Sequence, residues 1–252
     1  MTALMADPRI ATLLVAMLLT YCRVQACLLA LPGFSMRVVP VRVRVAVAMS
    51  LTPLLAEAAL LRHGAQSLAG LGLLCAAEIV TGLALGGLVR LFALAIDVAA
   101  SAIAATASLS QIVGVANEFS PHPIGNLMHL AGMALVMAMG FPLLVCDLLR
   151  ESFQLRPVGD WIQIPELLPL AVAILRRSFV LAMLMAAPFI LGGFLFQLLS
   201  GMVSKVMPAL PLMFIAAPGA ILLALLALVL LTPSILSVWA EALLHMMKTD
   251  LP

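Results

Sequence analysis

Charge is scarce in this 252-residue chain: 13 Lys and Arg and 11 Asp and Glu amount to 10% of it, and the formal net charge is +2. With no Lys/Arg block, the composition argues against a nucleic-acid partner and against a polybasic tail. Cysteine is sparse too. Cys22, Cys27, Cys75 and Cys146 stand singly inside apolar runs. They lack the close pairs that build zinc sites or redox motifs, and read as small buried hydrophobes. Met1 to Arg9 carries Asp7 and Arg9 but no basic region, and no small-residue cleavage site follows. Ile10 to Leu31 therefore reads as a retained helix and not a removed signal.

What the chain has in abundance is apolar surface. Apolar types make up 65% of it, gathered into runs such as Ala216 to Leu231. No soluble core needs that much, whereas a lipid-exposed or fully enclosed helical protein does. In hydrocarbon, backbone groups must be satisfied internally, and these runs are too long and too unalternated for barrel strands. A spanning helix takes roughly 20 residues, so little is left for a soluble domain. The expected fold class is all-α: a polytopic membrane protein of long broken helices in one helical unit.

The runs are read in order. Ile10 to Leu31 ends at Pro32-Gly33 and gives way to a basic connector with Arg37, Arg42 and Arg44. Val45 to Leu61, with Pro53 and Glu57, comes second. Leu68 to Val89 follows, with Gly82 and Gly86 at a spacing that lets two helix backbones approach closely. Arg90 is read as its end. From Leu91 to Val115 the side chains are mostly small, Ala95, Ala99, Ala100 and Ala104 among them, which suits a helix gripped by protein. Asn117 to Pro123 is a turn-rich connector, and Ile124 to Leu149 a fifth run containing Gly140 and Pro142. Glu151 to Glu166 is the most water-compatible stretch, with Trp161 suited to a headgroup zone. Ser178 to Val203 and Leu210 to Leu231 finish the chain, and Pro188, Pro208, Pro211, Pro218 and Pro233 predict broken or kinked helices there. The arginines do not fall consistently on one side of an alternating path, so charge bias sets no orientation.

Arg23, Glu57, Glu78, Asp97 and Asp147 lie within apolar runs. An ionised group there costs roughly 2.5–3.5 kcal/mol on insertion scales, so each needs a partner or water. Arg90 and Asp97 share a face but sit about 10 Å apart along the axis, too far to pair directly. Ion pairing between helices is the favoured reading, with a wet cavity and a proton relay as the others. His122 and His129 flank a loop near Asn126, but no carboxylate or cysteine completes a metal set. Ser101, Ser108 and Ser110 lack a histidine in a nucleophile-elbow setting. The sixteen methionines suit flexible packing or a compliant seal around a moving polypeptide. No active site is read from the sequence.

Arg23-Val24, then Leu31-Pro32-Gly33-Phe34-Ser35, then Val39-Pro40-Val41-Arg42-Val43-Arg44 with Ala48-Met49-Ser50, resembles the opening of the FliR family. That family is the flagellar counterpart of the T component of the type III secretion export apparatus. The likeness continues in order. Glu78 to Gly87 resembles the family's IGLALG helix, Pro157-Val158-Gly159 its LPIGG connector, and Ala186-Ala187-Pro188 its penultimate helix. Pro208-Ala209-Leu210-Pro211-Leu212-Met213-Phe214 with Pro218 resembles its PQLNVF…GFP segment. The chain departs from the family at Ala209, where the family has Gln, and at Ser108 to Asn117, where an expected Asp-Pro is missing.

The resemblance implies a protein-export gate subunit and not an enzyme, in the bacterial inner membrane at the flagellar basal body. The implied partners are FliP-like and FliQ-like subunits, FlhB-like and FlhA-like export components, and unfolded exported proteins; no cofactor or nucleic acid enters. It also implies a FliP-like part, 1–160, fused to a FliQ-like part, 161–252, with helices raised largely out of the bilayer. The family's pore plug maps onto Ser108, Leu109, Ser110, Gln111, Ile112, Val113 and Gly114. Candidate assembly contacts are Arg23, Pro40, Arg42, Arg44, Gly82, Gly86, Pro208 and Leu210. Two alternatives stay open: the T component of a virulence-type injectisome, and a stand-alone polytopic permease, which should bear an inverted repeat.

Overall fold

The computed structural model describes residues 8–35, 39–56, 68–107, 123–206 and 212–249. Among them there are seven helices and no strand. Helix α1, Pro8–Ala30, starts on a proline, whose missing N–H is no loss in a first turn. It stops where Gly33 takes a left-handed φ of 82° after Pro32, while Leu31 N–H still donates to the Cys27 carbonyl at 2.9 Å. Helix α2, Val41–Ala56, opens on the Pro40 carbonyl, which accepts from Val43 N–H at 3.0 Å.

Helix α3, Leu68–Ala107, runs 40 residues without interruption, which corrects the expectation of two runs divided at Arg90. The reason is physical. Arginine is a good helix former, its side chain here is exposed, and no glycine, proline or cap accompanies it to end the ladder. The reverse happens in the fifth run, which is two helices, α4, Pro123–Ala138, and α5, Phe141–Leu155. Between them Gly140 sits at φ 97°, a conformation that excludes most side chains, and Pro142 restarts the helix from its first turn.

Helix α6, Ile164–Val206, runs through Arg176 and Arg177, and α7, Leu212–Thr249, runs through Pro218 and Pro233. Of the breaks or kinks expected at Pro188, Pro218 and Pro233, no break occurs: each helix stays continuous, because a proline removes one ladder bond and the long helix retains its others. Four helical segments are long and apolar enough to cross a membrane: Ile10–Ala30, Ala69–Ile103, Ile164–Val206 and Pro218–Thr249. The bent pair Gly125–Ala138 and Phe141–Leu155 is a fifth candidate. The chain itself buries only 22% and 11% of the apolar windows in α6 and α7, leaving most of their surface for lipid or other chains.

The helices gather into two compact units of interleaved segments. Unit 1 comprises Met1–Ala93, Met137–Leu175 and Leu243–Pro252, and its core includes Leu19, Leu28, Val89, Phe141 and Leu149. Unit 2 comprises Leu94–Val136 and Arg176–Ala242. Its core includes Ile96, Ala99, Ala100, Ile103, Met128 and Trp239, so the small-residue stretch of α3 is gripped by protein on the face that carries Ala99 and Ala100.

Candidate functional site

Unit 1 is built around one stripe of α3. Glu78, Gly82 and Gly86, spaced four apart, lie on one helix face. They meet α1 at successively later positions, Glu78 at Arg23, Gly82 at Ala26 and Gly86 at Ala30, so the two helices run in the same direction. A Cβ on Gly82 would lie 2.8 Å from Ala26 Cβ, and one on Gly86 2.5 Å from the Cys27 carbonyl oxygen. Only glycine lets the backbones come this close.

That approach carries Arg23 into a dry site. Its Nε donates to Glu78 Oε2 at 2.6 Å and its Nη2 to Oε1 at 3.1 Å, a forked pair in which both side chains are 0% exposed. The remaining donor, Nη1, reaches the carbonyls of Ser152 at 3.0 Å and Arg156 at 3.1 Å, the frayed C-terminal end of α5. The Phe153 ring lies 4.1 Å from the guanidinium carbon, adding a cation–π contact. Glu78 Oε1 in turn accepts the Gly159 N–H at 2.8 Å. Gly159 holds φ 95°, and a Cβ there would sit 2.6 Å from Leu74. One charge pair thus ties α1, α3, the end of α5 and the following connector to a single point. Beside it stand the free thiols of Cys22 and Cys75.

Unit 2 repeats the device with less burial. On α4, Gly125, His129 and Gly132 share a face and meet α3 at Ala100, Asp97 and Ile96, so these two helices are antiparallel. A Cβ on Gly132 would be 2.6 Å from Ile96 and 3.1 Å from Trp239, and the gap this glycine leaves brings His129 Nδ1 to 2.6 Å from Asp97 Oδ1. Both side chains are partly exposed. A double-mutant cycle of Asp97→Asn and His129→Gln, read by thermal unfolding, is expected to return a coupling of about 0.5–1 kcal/mol. A coupling indistinguishable from zero would make the contact incidental.

The structure therefore pairs Arg23 with Glu78 and Asp97 with His129, as interhelix ion pairing requires, while Asp147 is exposed. Arg23, Gly82 and Gly86 make these contacts inside the chain. Pro40 and Arg42 are exposed at the start of α2, and Arg44 Nη2 donates to the Val39 carbonyl at 3.1 Å. Arg37, Glu57, His122, Ser108 to Gly114, Pro208 and Leu210 lie outside the described residues. Ser152, Phe153 and Gly159 were not singled out as site residues by sequence, although Gly159 falls in the quoted Pro157-Val158-Gly159 segment. Among the described residues no three His, Cys, Asp or Glu side chains could hold a metal.

Buried charge used as a tie, glycine stripes that draw helices together and long apolar helices left largely uncovered define an all-α polytopic membrane protein. The chain belongs to the bacterial export proteins, family 1, whose family model matches residues 14–246. It is also similar to the flagellar biosynthetic protein FliR of Caulobacter vibrioides, with 29% identity over 227 residues, 88% of this chain and 90% of that protein.

Proposed function

We propose that this chain is a subunit of the flagellar type III protein export gate, forming part of the inner-membrane conduit for unfolded flagellar substrates at the basal body. The observation that carries the reading is the end-to-end likeness to a flagellar FliR, covering 88% of one chain and 90% of the other. The uncovered α6 and α7 support it, since a gate subunit keeps such faces for FliP-like and FliQ-like neighbours, with FlhB-like and FlhA-like components beyond them. In this reading residues 1–160 act as the FliP-like part and 161–252 as the FliQ-like part, and the chain itself supplies no catalysis.

Deleting the gene in its native host is expected to abolish secretion of hook and filament proteins, with restoration by the intact gene, and the tagged chain should co-purify with FliP-like and FliQ-like subunits. Normal flagellar secretion in the deletion strain would overturn the assignment; loss of injected effectors instead would move it to an injectisome.

Residues Ser108 to Gly114 serve as the plug in this proposal. Ser110 and Gln111 offer hydrogen bonds across a lumen, Ile112 and Val113 exclude water, and Gly114 permits a sharp turn. Removing 110–114 should leave an assembled gate that leaks small ions. Whole-cell conductance equal to that of the intact gate, with assembly confirmed, would refute the plug and spare the family assignment.

A further inference from the structure

Unit 1 holds a cavity of about 220 Å³ between α3, the end of α5 and the start of α6. Its wall is graded. The closed end is made by Thr81, Leu88 and Ser152, all buried, and the open end by Leu155, Arg156 and Glu166, which are exposed or half-exposed. The two hydroxyls at the closed end are already committed: Thr81 Oγ1 donates to the Ala77 carbonyl at 2.8 Å and Ser152 Oγ to the Leu149 carbonyl at 2.7 Å. The interior therefore asks for no hydrogen bond and takes an apolar group. An apolar cavity of about 150 Å³ admits a benzene-sized molecule, so this one holds a stretch of alkyl chain.

The open end asks for something else. Arg156 Nη2 donates to Glu166 Oε2 at 2.8 Å and Nη1 to the Trp161 carbonyl at 3.4 Å, so among the described residues only two of its five N–H groups are engaged. Glu166 keeps its other carboxylate oxygen for a donor. A cation and an anion side by side over an alkyl-sized cavity match a molecule with the same order of parts: phosphate for Arg156, a primary ammonium for Glu166, a hydrocarbon tail for the interior. A purely anionic headgroup meets repulsion from Glu166, and a choline headgroup has no N–H to give it. We infer that this cavity is a binding site for an aminophospholipid of the ethanolamine type. The inference rests on the chain being a membrane protein and is independent of the export-gate reading.

The test uses the full chain, purified in mild detergent with whatever chains accompany it, stripped of lipid and returned to micelles containing equal amounts of phosphatidylethanolamine, phosphatidylcholine and phosphatidylglycerol. Native mass spectrometry then counts the retained lipid. The intact chain is expected to retain the ethanolamine lipid several-fold over the other two, since a charge-assisted hydrogen bond is worth about tenfold or more. Glu166→Gln should bring the ethanolamine and choline lipids to parity. Arg156→Gln should lower retention of all three about tenfold. Ala84→Leu, which fills the cavity without touching either charge, should also release lipid, and it serves if an open-end variant does not fold. Equal retention of the three lipids by the intact chain, retention unchanged in Arg156→Gln, or cross-links showing the cavity filled by another polypeptide would each overturn the site.

Discussion

Replacing Arg23 by methionine is expected to be the most damaging single change, costing about 3–5 kcal/mol, a large share of the roughly 5–15 kcal/mol that holds a domain folded. The loss does not come from the pair's intrinsic strength. Taking two charges out of water nearly cancels their attraction; the damage comes from leaving Glu78 ionised in a site that is 0% exposed. The Arg156 carbonyl loses the Arg23 donor in the same step, and the Ser152 carbonyl keeps only the Arg156 N–H. The double variant Arg23→Met with Glu78→Leu removes the stranded charge and should recover part of the stability. It should not recover all of it, because the half-buried Gly159 N–H then loses its acceptor. Thermal unfolding in detergent distinguishes the three proteins. A single variant as stable as the parent would show that the charge pair ties nothing down.

Gly86→Leu, and to a lesser degree Gly82→Ala, should come next. In an ordinary helix, replacing glycine by alanine gains up to about 1 kcal/mol. Here the sign inverts. A Cβ on Gly82 would press on the Arg23 carbonyl and stand 2.8 Å from Ala26 Cβ, so α1 must move away as a body. Overpacking of this kind costs about 1–3 kcal/mol, and moving α1 also draws Arg23 from Glu78, so the two sites should be non-additive in a double-mutant cycle. A Gly82→Ala protein with a raised unfolding temperature would contradict the close approach of α1 and α3.

How much of this was legible depends on the kind of signal. Helices written as apolar runs were readable, because that signal is local, whereas the break at Gly140 with Pro142 was passed over inside a run read as one, Ile124 to Leu149. Arg90 and Arg176-Arg177 misled for a physical reason: a charge ends an apolar run in composition, but a helix ends only where its backbone ladder is interrupted. The prolines misled in the same sense where a break was expected, since one missing N–H does not dissolve a helix of 38 residues such as α7. The need of Arg23 and Glu78 for partners was evident from the cost of lone charges in apolar surroundings, yet nothing in the sequence pairs residues 55 positions apart. Their proximity follows from the Gly82 and Gly86 stripe, whose spacing was visible but whose partner helix was not. The contributions of Ser152 and Arg156 were hidden more deeply, because it is their backbone carbonyls that act, and carbonyls carry no sequence signature.

The lengths of α3 and α6 bear on how the cell must handle this subunit. At about 1.5 Å per residue, helices of 40 and 43 residues have contours of about 60 and 65 Å, roughly twice the hydrocarbon thickness of a bilayer. Usual tilts of up to about 40° cannot absorb that excess. A straight, fully spanning course would leave apolar helix beyond the lipid, in need of cover by protein. On the export-gate proposal, a copy made in surplus of its neighbours is expected to be cleared by membrane proteases, which a pulse-chase with and without those neighbours would check.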